Sequence, residues 1–200
     1  MATVPGMART KESDRDVALR AAILQFAEHG FEGTSTDMLL ESMGIGRQSL
    51  YDTFGDKHRL YLEALRLYET DTGAELFRRI YESPSPFGAL CDYLLGIADG
   101  APADRGRGCF FVNATTELAP SDPDVAAVIR ASSARCEAAF ERILKEAKQC
   151  GEVDRSVDER LAARFLLSTI RGLRVSAKAG VEPDDLRAIA TLALSSLKPR

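Results

Sequence analysis

The 200-residue chain reads as an all-α protein of about nine helices. Three observations predict this. Apolar residues recur at spacings of three and four in segment after segment, and glycine and proline cut those segments apart. Residues 36–57, TDMLLESMGIGRQSLYDTFGDK, set two short helical patterns around a glycine turn. The pattern divides into a small head over 1–57 with its turn motif at 36–55, a connecting helix over 58–82, and a larger helical body over 83–200.

The first helix runs from Asp14 to His29, where Leu19, Ala22, Ile23, Phe26 and Ala27 share one face and Gly30 supplies a stop before Phe31. Thr34, Ser35 and Thr36 then offer hydroxyls to the backbone N–H groups that open the next helix, or to a phosphate. In the motif, Leu39, Leu40, Met43, Ile45, Leu50 and Phe54 are spaced to press one face of each helix onto a common core. Gly44 and Gly46 flank Ile45 at the turn, where glycine accepts positive φ without steric cost. Arg47, Gln48, Ser49, Tyr51, Asp52 and Thr53 are left outward, a set with hydrogen-bonding reach suited to base edges and phosphates. Taken alone, the segment fits an ordinary helical hairpin as well as a DNA-reading head.

With the upstream residues included, the head resembles the TetR-type transcriptional regulators. Gly30-Phe31, Thr34-Ser35, Gly44-Ile45, Leu50-Tyr51, Phe54 and Lys57 stand in the order and spacing of that family's signature. The resemblance implies a helix-turn-helix DNA-binding domain followed by a ligand-binding and dimerisation domain. It assigns DNA contact to Thr36, Gln48, Ser49, Tyr51, Thr53 and Lys57, with Arg47 as a further candidate. Tyr51 and Lys57 are expected to anchor phosphates, and Gln48 and Ser49 to meet base edges. Gly46 stands where the family often has serine, Thr53 where it often has histidine, and His58 where an acidic residue is frequent.

Charge sets a constraint on such a head. The chain carries a formal −4, and residues 1–60 hold seven Lys and Arg against nine Asp and Glu. General attraction to a polyanion is therefore modest, and binding has to rest on placed contacts and on two heads acting together. Arg9, Lys11 and Arg15 could form a basic arm ahead of the first helix, although a solvated terminus explains them equally. A hydrophobic content of 45% without any run of 18 apolar residues predicts a soluble chain without a membrane span. Met1 to Gly6 is too short and mixed for an export signal, so the expected compartment is the cytoplasm.

Beyond the head, a fourth helix should begin near Asp56 and run through Leu60, Leu62, Leu65, Leu67 and Tyr68 towards Ile80, until Ser83-Pro84-Ser85-Pro86 breaks it. Phe87 to Ala98 predicts a short apolar helix, and polar, glycine-bearing Ala103 to Gly108 a mobile loop. Residues 108–118 start apolar and carry Asn113, Thr116 and Glu117 on one face. That face could line a small-molecule pocket with Cys109, Phe110, Phe140 and Phe165, or it could be the solvent side of a core helix, the commoner arrangement.

Asp122-Pro123 opens a long helix with a cap and a first-turn proline, and Gly151 ends it. Two helices follow, Asp158 to about Ala179 and Pro183 to about Leu197. In the first of these Leu161, Ala162, Phe165, Leu166, Ile170 and Leu173 are expected to face inward. Their apolar stripes are wider than one face, which fits either a subunit interface or deeper burial within one chain. The resemblance implies the former, a homodimer built through Leu161, Phe165, Ser168, Gly172, Leu186, Ile189, Ala193 and Leu197. It also implies the mode of action: a small molecule in the body moves the fourth helix, spreads the two heads and releases a palindromic double-stranded operator.

Other chemistry finds little footing. Cys91, Cys109, Cys136 and Cys150 lie 18, 27 and 14 positions apart with no CxxC pair, so neither a metal site nor a cofactor is expected, and buried thiols are the default. Cys109 follows a loop with Arg105 and Arg107, and as an alternative it could sense electrophiles or oxidants. A helical-bundle enzyme or metal carrier is the remote alternative: Glu-x-x-His pairs, a Walker loop, GxGxxG and GxSxG are all missing.

Overall fold

The structure, a computed structural model, describes residues 11–199, with side chains from Asp14 onward. Among these residues the helices are α1 Lys11–Gly33, α2 Thr36–Met43, α3 Arg47–Phe54, α4 Lys57–Glu82, α5 Pro86–Asp99, α6 Pro102–Arg107, α7 Phe110–Glu117, α8 Pro123–Gln149, α9 Glu159–Lys178 and α10 Pro183–Ser195. Nine of them answer the sequence pattern. The tenth, α6, replaces the loop expected over 103–108, because Pro102 fixes the first-turn φ and Gly108, at φ 76°, closes the turn by donating to the Asp104 and Arg105 carbonyls. The chain forms two compact units, Met1–Tyr68 and Glu69–Arg200, and the division falls inside α4.

In the first unit, Gly30 leaves helical geometry at φ 74°, which ends the regular part of α1 where the sequence places its stop. Thr34 is fully buried there, its hydroxyl donating to the Gly30 carbonyl at 2.5 Å. Ser35 caps α2 by accepting from the Met38 amide at 3.2 Å. Gly44 takes the left-handed conformation at φ 65° and turns the chain towards α3. Leu39, Met43, Leu50 and Phe54 are buried, as are Leu19, Phe26 and Tyr61, and the Tyr61 ring meets Phe26 edge-on at 4.9 Å. Leu40 and Ile45, expected in that core, are only half-buried at its margin.

Arg15 does not belong to a basic arm. It lies within α1, pairs with Glu63 and sits 5.1 Å above the Phe54 ring, so its charge is spent inside the unit. Arg9 and the side chain of Lys11 lie outside the described residues.

The second unit is organised around α5, α8, α9 and α10, whose Leu90, Leu94, Phe140, Ile143, Leu166, Ile170, Leu186 and Leu194 form one core with Ile80 of α4. Its helices start on capping side chains. Ser85 accepts from the Gly88 amide at 2.9 Å, Asp122 from the Asp124 and Val125 amides, and Asp158 from the Leu161 amide at 2.8 Å. Pro123 stands in the first turn of α8 as the sequence predicts.

Two sets of residues move between core and surface relative to expectation. Leu186, Ala193 and Leu197, expected at a subunit interface, are buried inside this chain; Leu161 and Phe165, expected to face inward, are exposed at 66% and 41%. The reason is that α9 is apolar on two sides: Ala162, Leu166, Ile170 and Leu173 take the core, and Leu161, Phe165, Ser168, Gly172 and Val175 follow at helical spacing on the outer side. The cysteines are also less buried than expected. All four are thiols, three half-buried, and Cys150 is exposed where it caps the end of α8. Burial pushes the Cys91 thiol up to about 11 and raises that of Cys136.

Candidate nucleic-acid interface and ligand cavity

The eight-residue α3 is anchored by Leu50 and Phe54, one turn apart and both buried. That anchoring turns the rest of the helix outward: Arg47, Gln48, Ser49, Tyr51, Asp52 and Thr53 are all exposed, as the spacing predicts. Gly46 caps the helix with no side-chain acceptor, so the amides of its first turn are left open to an anion such as a phosphate oxygen. A serine there would occupy one of them.

Two of the outward side chains are already engaged. Arg47 pairs with Asp37 of α2 at 2.5 Å, and Gln48 donates Nε2 to the Asp52 carboxylate at 2.8 Å. Sequence reasoning placed Asp52 on the outward face but missed both pairings, although Gln48 and Asp52 stand at the i, i+4 spacing that brings helical side chains together. Thr36 is the first residue of α2 and is half-buried. Lys57, also half-buried, opens α4 with its ammonium 4.4 Å above the Phe31 ring. The cation–π contact fixes where that charge stands without neutralising it.

In the second unit, a cavity of about 580 Å³ lies between the later turns of α4, the outer face of α5, the 100–108 segment and α9. Leu76, Ala89, Ile97 and Ala177 give it apolar walls, and Tyr93, Asp92, Arg79, Arg105 and Arg174 give it polar ones. Arg105 donates to the Ala98 and Gly100 carbonyls at 3.2 and 2.7 Å, and Arg174 donates to the Tyr93 hydroxyl at 3.1 Å.

None of the seven residues expected to line a pocket is in this wall. Phe110 and Phe140 are buried in the packed interior, and Phe165 is on the exposed side of α9. Thr116 is exposed and turns its hydroxyl back to the Val112 and Asn113 carbonyls. Glu117 is half-buried at the end of α7. Cys109 and Asn113 come nearest, because Gly108 lies in the wall and Asn113 accepts from Lys178 Nζ at 3.2 Å. The α5 residues escaped notice because Ala89, Asp92, Tyr93 and Gly96 read as the ordinary surface side of a short helix.

The exposed stripe of α9 continues in α10 through Ile189 and Leu192, the latter 73% exposed. Beside it, Val157, Leu161, Ala162, Phe165 and Leu197 line a shallow apolar groove.

Comparison with known proteins places these features in company. Residues 18–64 match the family model described as bacterial regulatory proteins, tetR family, and residues 87–192 match the tetracyclin repressor-like C-terminal domain. The chain is 35% identical over 193 residues, 96% of its own length and all of its relative's, to the uncharacterized HTH-type transcriptional regulator YezE of Bacillus subtilis (strain 168). It is 33% identical to the HTH-type transcriptional repressor ComR of Escherichia coli (strain K12), covering 91% of this chain and 88% of that one. Among solved structures it resembles a cysteine mutant of the TetR family regulator CifR complexed with 26-base-pair double-strand operator DNA, with a TM-score of 0.81 and 28% identity over 96% of this chain and all of that one. No helix among the described residues is long and apolar enough to cross a membrane.

Proposed function

Because the chain belongs to the TetR family of bacterial regulatory proteins, we propose that it is a cytoplasmic, dimeric repressor that binds a palindromic double-stranded operator and leaves it when a small molecule enters the body. One observation carries the reading: α3 buries only Leu50 and Phe54 and presents every other side chain before its last residue to the outside. A helix of that kind enters a major groove end-first, with Gln48 and Ser49 towards base edges and Tyr51, Thr53, Thr36 and Lys57 towards phosphates.

The acidic balance of the head makes one copy a weak binder, so two copies are needed, their α3 helices about 34–36 Å apart in successive major grooves. The outer stripe of α9 and α10, with Leu161, Phe165, Ile189 and Leu192 exposed, supplies the surface for pairing. The small molecule acts by binding the cavity of the second unit better in one state of the dimer than in the other, and a preference of a few kcal/mol is enough. Selection of bound sequences from a random DNA pool tests the reading. A two-fold symmetric consensus supports it, and retention of random DNA without any consensus overturns it.

A second reading has one observation behind it. Lys178 passes so close to Gly108 that a β-carbon there would stand 2.8 Å from its Cδ, which brings a cation beside the residue next to Cys109. Cys109, a free and half-buried thiol, is therefore a candidate trigger for a thiol-reactive signal. Operator release by N-ethylmaleimide that survives in Cys109→Ser would rule it out.

A further inference from the structure

On the outward face of α3, the strongest hydrogen-bond donors are already held by acids. Across α2 and α3 the sequence carries one cation, Arg47, against three acids, Asp37, Glu41 and Asp52. Arg47 Nη2 donates to Asp37 Oδ1 at 2.5 Å, and Gln48 Nε2 donates to Asp52 Oδ1 at 2.8 Å. All four of these side chains are exposed. A free guanidinium fork suits the paired acceptors of guanine, N7 and O6, but that of Arg47 is tied by one arm to α2.

The second contact fixes what Gln48 offers a base. A carboxylate oxygen only accepts, so the amide nitrogen has to face Asp52 and the oxygen Oε1 lies on the other side of the amide. An unheld glutamine can meet guanine by aiming both N–H groups at N7 and O6. It can equally meet adenine, with one N–H on N7 and its oxygen on the N6 amino group. Asp52 takes one N–H and leaves one donor beside one acceptor, which is the adenine pattern. Its negative charge acts in the same direction, since it is drawn to an amino group and repelled by the O6 of guanine.

We infer that Gln48 reads an adenine in each operator half-site and that Asp52 is the positioning residue through which guanine is rejected there. The inference rests on the reading of α3 as the helix that enters the major groove, and it names the base that the second residue of that helix recognises.

The test is selection of bound sequences from a random double-stranded DNA pool by the full chain, followed by anisotropy titration of single-pair variants of the consensus. Gln48→Ala locates the contact, because the pair whose preference that variant loses is the one Gln48 reads. The expected result is an A·T pair there, with its transition to G·C weakening wild-type binding by about tenfold or more. Replacing its adenine by 7-deazaadenine, which lacks N7, should also weaken binding. In Asp52→Asn the amide can donate or accept, so the two pairs should bind within about threefold of each other. Asp52→Glu restores a carboxylate and should return the preference. Loss of the charge strengthens binding to all sequences, so the readout is the ratio between the two pairs and not the affinity. Circular dichroism shows whether each variant is folded.

A G·C pair at the position that Gln48→Ala relaxes, no relaxed position, indifference to 7-deazaadenine, or an unchanged ratio in folded Asp52→Asn overturns the inference, while a two-fold consensus keeps the operator reading. A consensus without two-fold symmetry removes the dimeric operator and leaves the adenine contact supported by the same ratios. A pool that yields no consensus overturns both.

Discussion

Gln48 and Asp52 are joined by a 2.8 Å hydrogen bond across one turn of α3, so the side chain best suited to read a base is held by an acid on the same helix. The carboxylate orients the amide, and it also sets a negative charge on the surface that approaches phosphates. Asp52→Ala should therefore strengthen binding to random DNA several-fold while narrowing the ratio between operator and random sequence, by removal of a repulsive charge and of the orienting partner. Titration of both DNAs at two salt concentrations checks this, and an unchanged ratio would show that Asp52 orients nothing.

Tyr51 and Gln48 should separate by kind of loss. Tyr51→Ala lowers affinity for every sequence, and Gln48→Ala relaxes preference at one position at a cost of about 1–3 kcal/mol of discrimination. Binding to an operator and to its single-base variants distinguishes the two. Equal losses on operator and random DNA for both variants would contradict the division of roles.

Leu192→Glu puts a charge at the most exposed apolar position of α10. It should weaken self-association by roughly tenfold or more while leaving the helical content intact. Sedimentation velocity over a dilution series reads the first effect and circular dichroism the second. A variant that stays dimeric at every concentration would move the interface elsewhere.

Thr34 has no exposed surface and its hydroxyl serves the Gly30 carbonyl at the end of α1. Thr34→Val keeps the shape and strands that acceptor, at a cost of about 1–2 kcal/mol read by urea unfolding. Gly108→Ala is expected to cost about 1–3 kcal/mol, since φ is 76° and a β-carbon would stand 2.8 Å from Lys178 Cδ.

Acid should act on Glu159, whose carboxyl is held below its ordinary value by the Lys148 ammonium and then by a backbone hydrogen bond at the start of α9. A lowered folded-state pKa gives a contribution that is fully present above the ordinary Glu value of about 4.3 and is lost as pH falls through the folded value. Unfolding midpoints measured from pH 7 downwards should fall below that point, and Lys148→Met should make the fall shallower.

Thiol labelling should follow exposure. Cys150 reacts first with a thiol reagent at pH 8, and Cys91, with its thiol pushed up to about 11, stays protonated and reacts late. Mass spectrometry of a labelling time course reads the order.

Local chemistry by itself determined the helices and their ends. Gly30, the Gly44 turn, the Ser85 and Asp122 caps and Pro123 act within a few residues of their own position, so the string of letters carries them. The outward face of α3 was legible for the same reason, because Leu50 and Phe54 fix it one turn apart.

Which apolar face meets which partner was decided only by tertiary structure. The sequence shows that α9 and α10 are apolar on more than one side, but it does not say that Leu186 and Leu197 fill this chain's core and Leu161 and Leu192 do not. The cavity is a matter of packing in the same way, since its wall joins Leu76, Tyr93, Arg105 and Arg174 from four separate segments. Periodicity marks a face, and only the packing of helices against one another determines what that face meets.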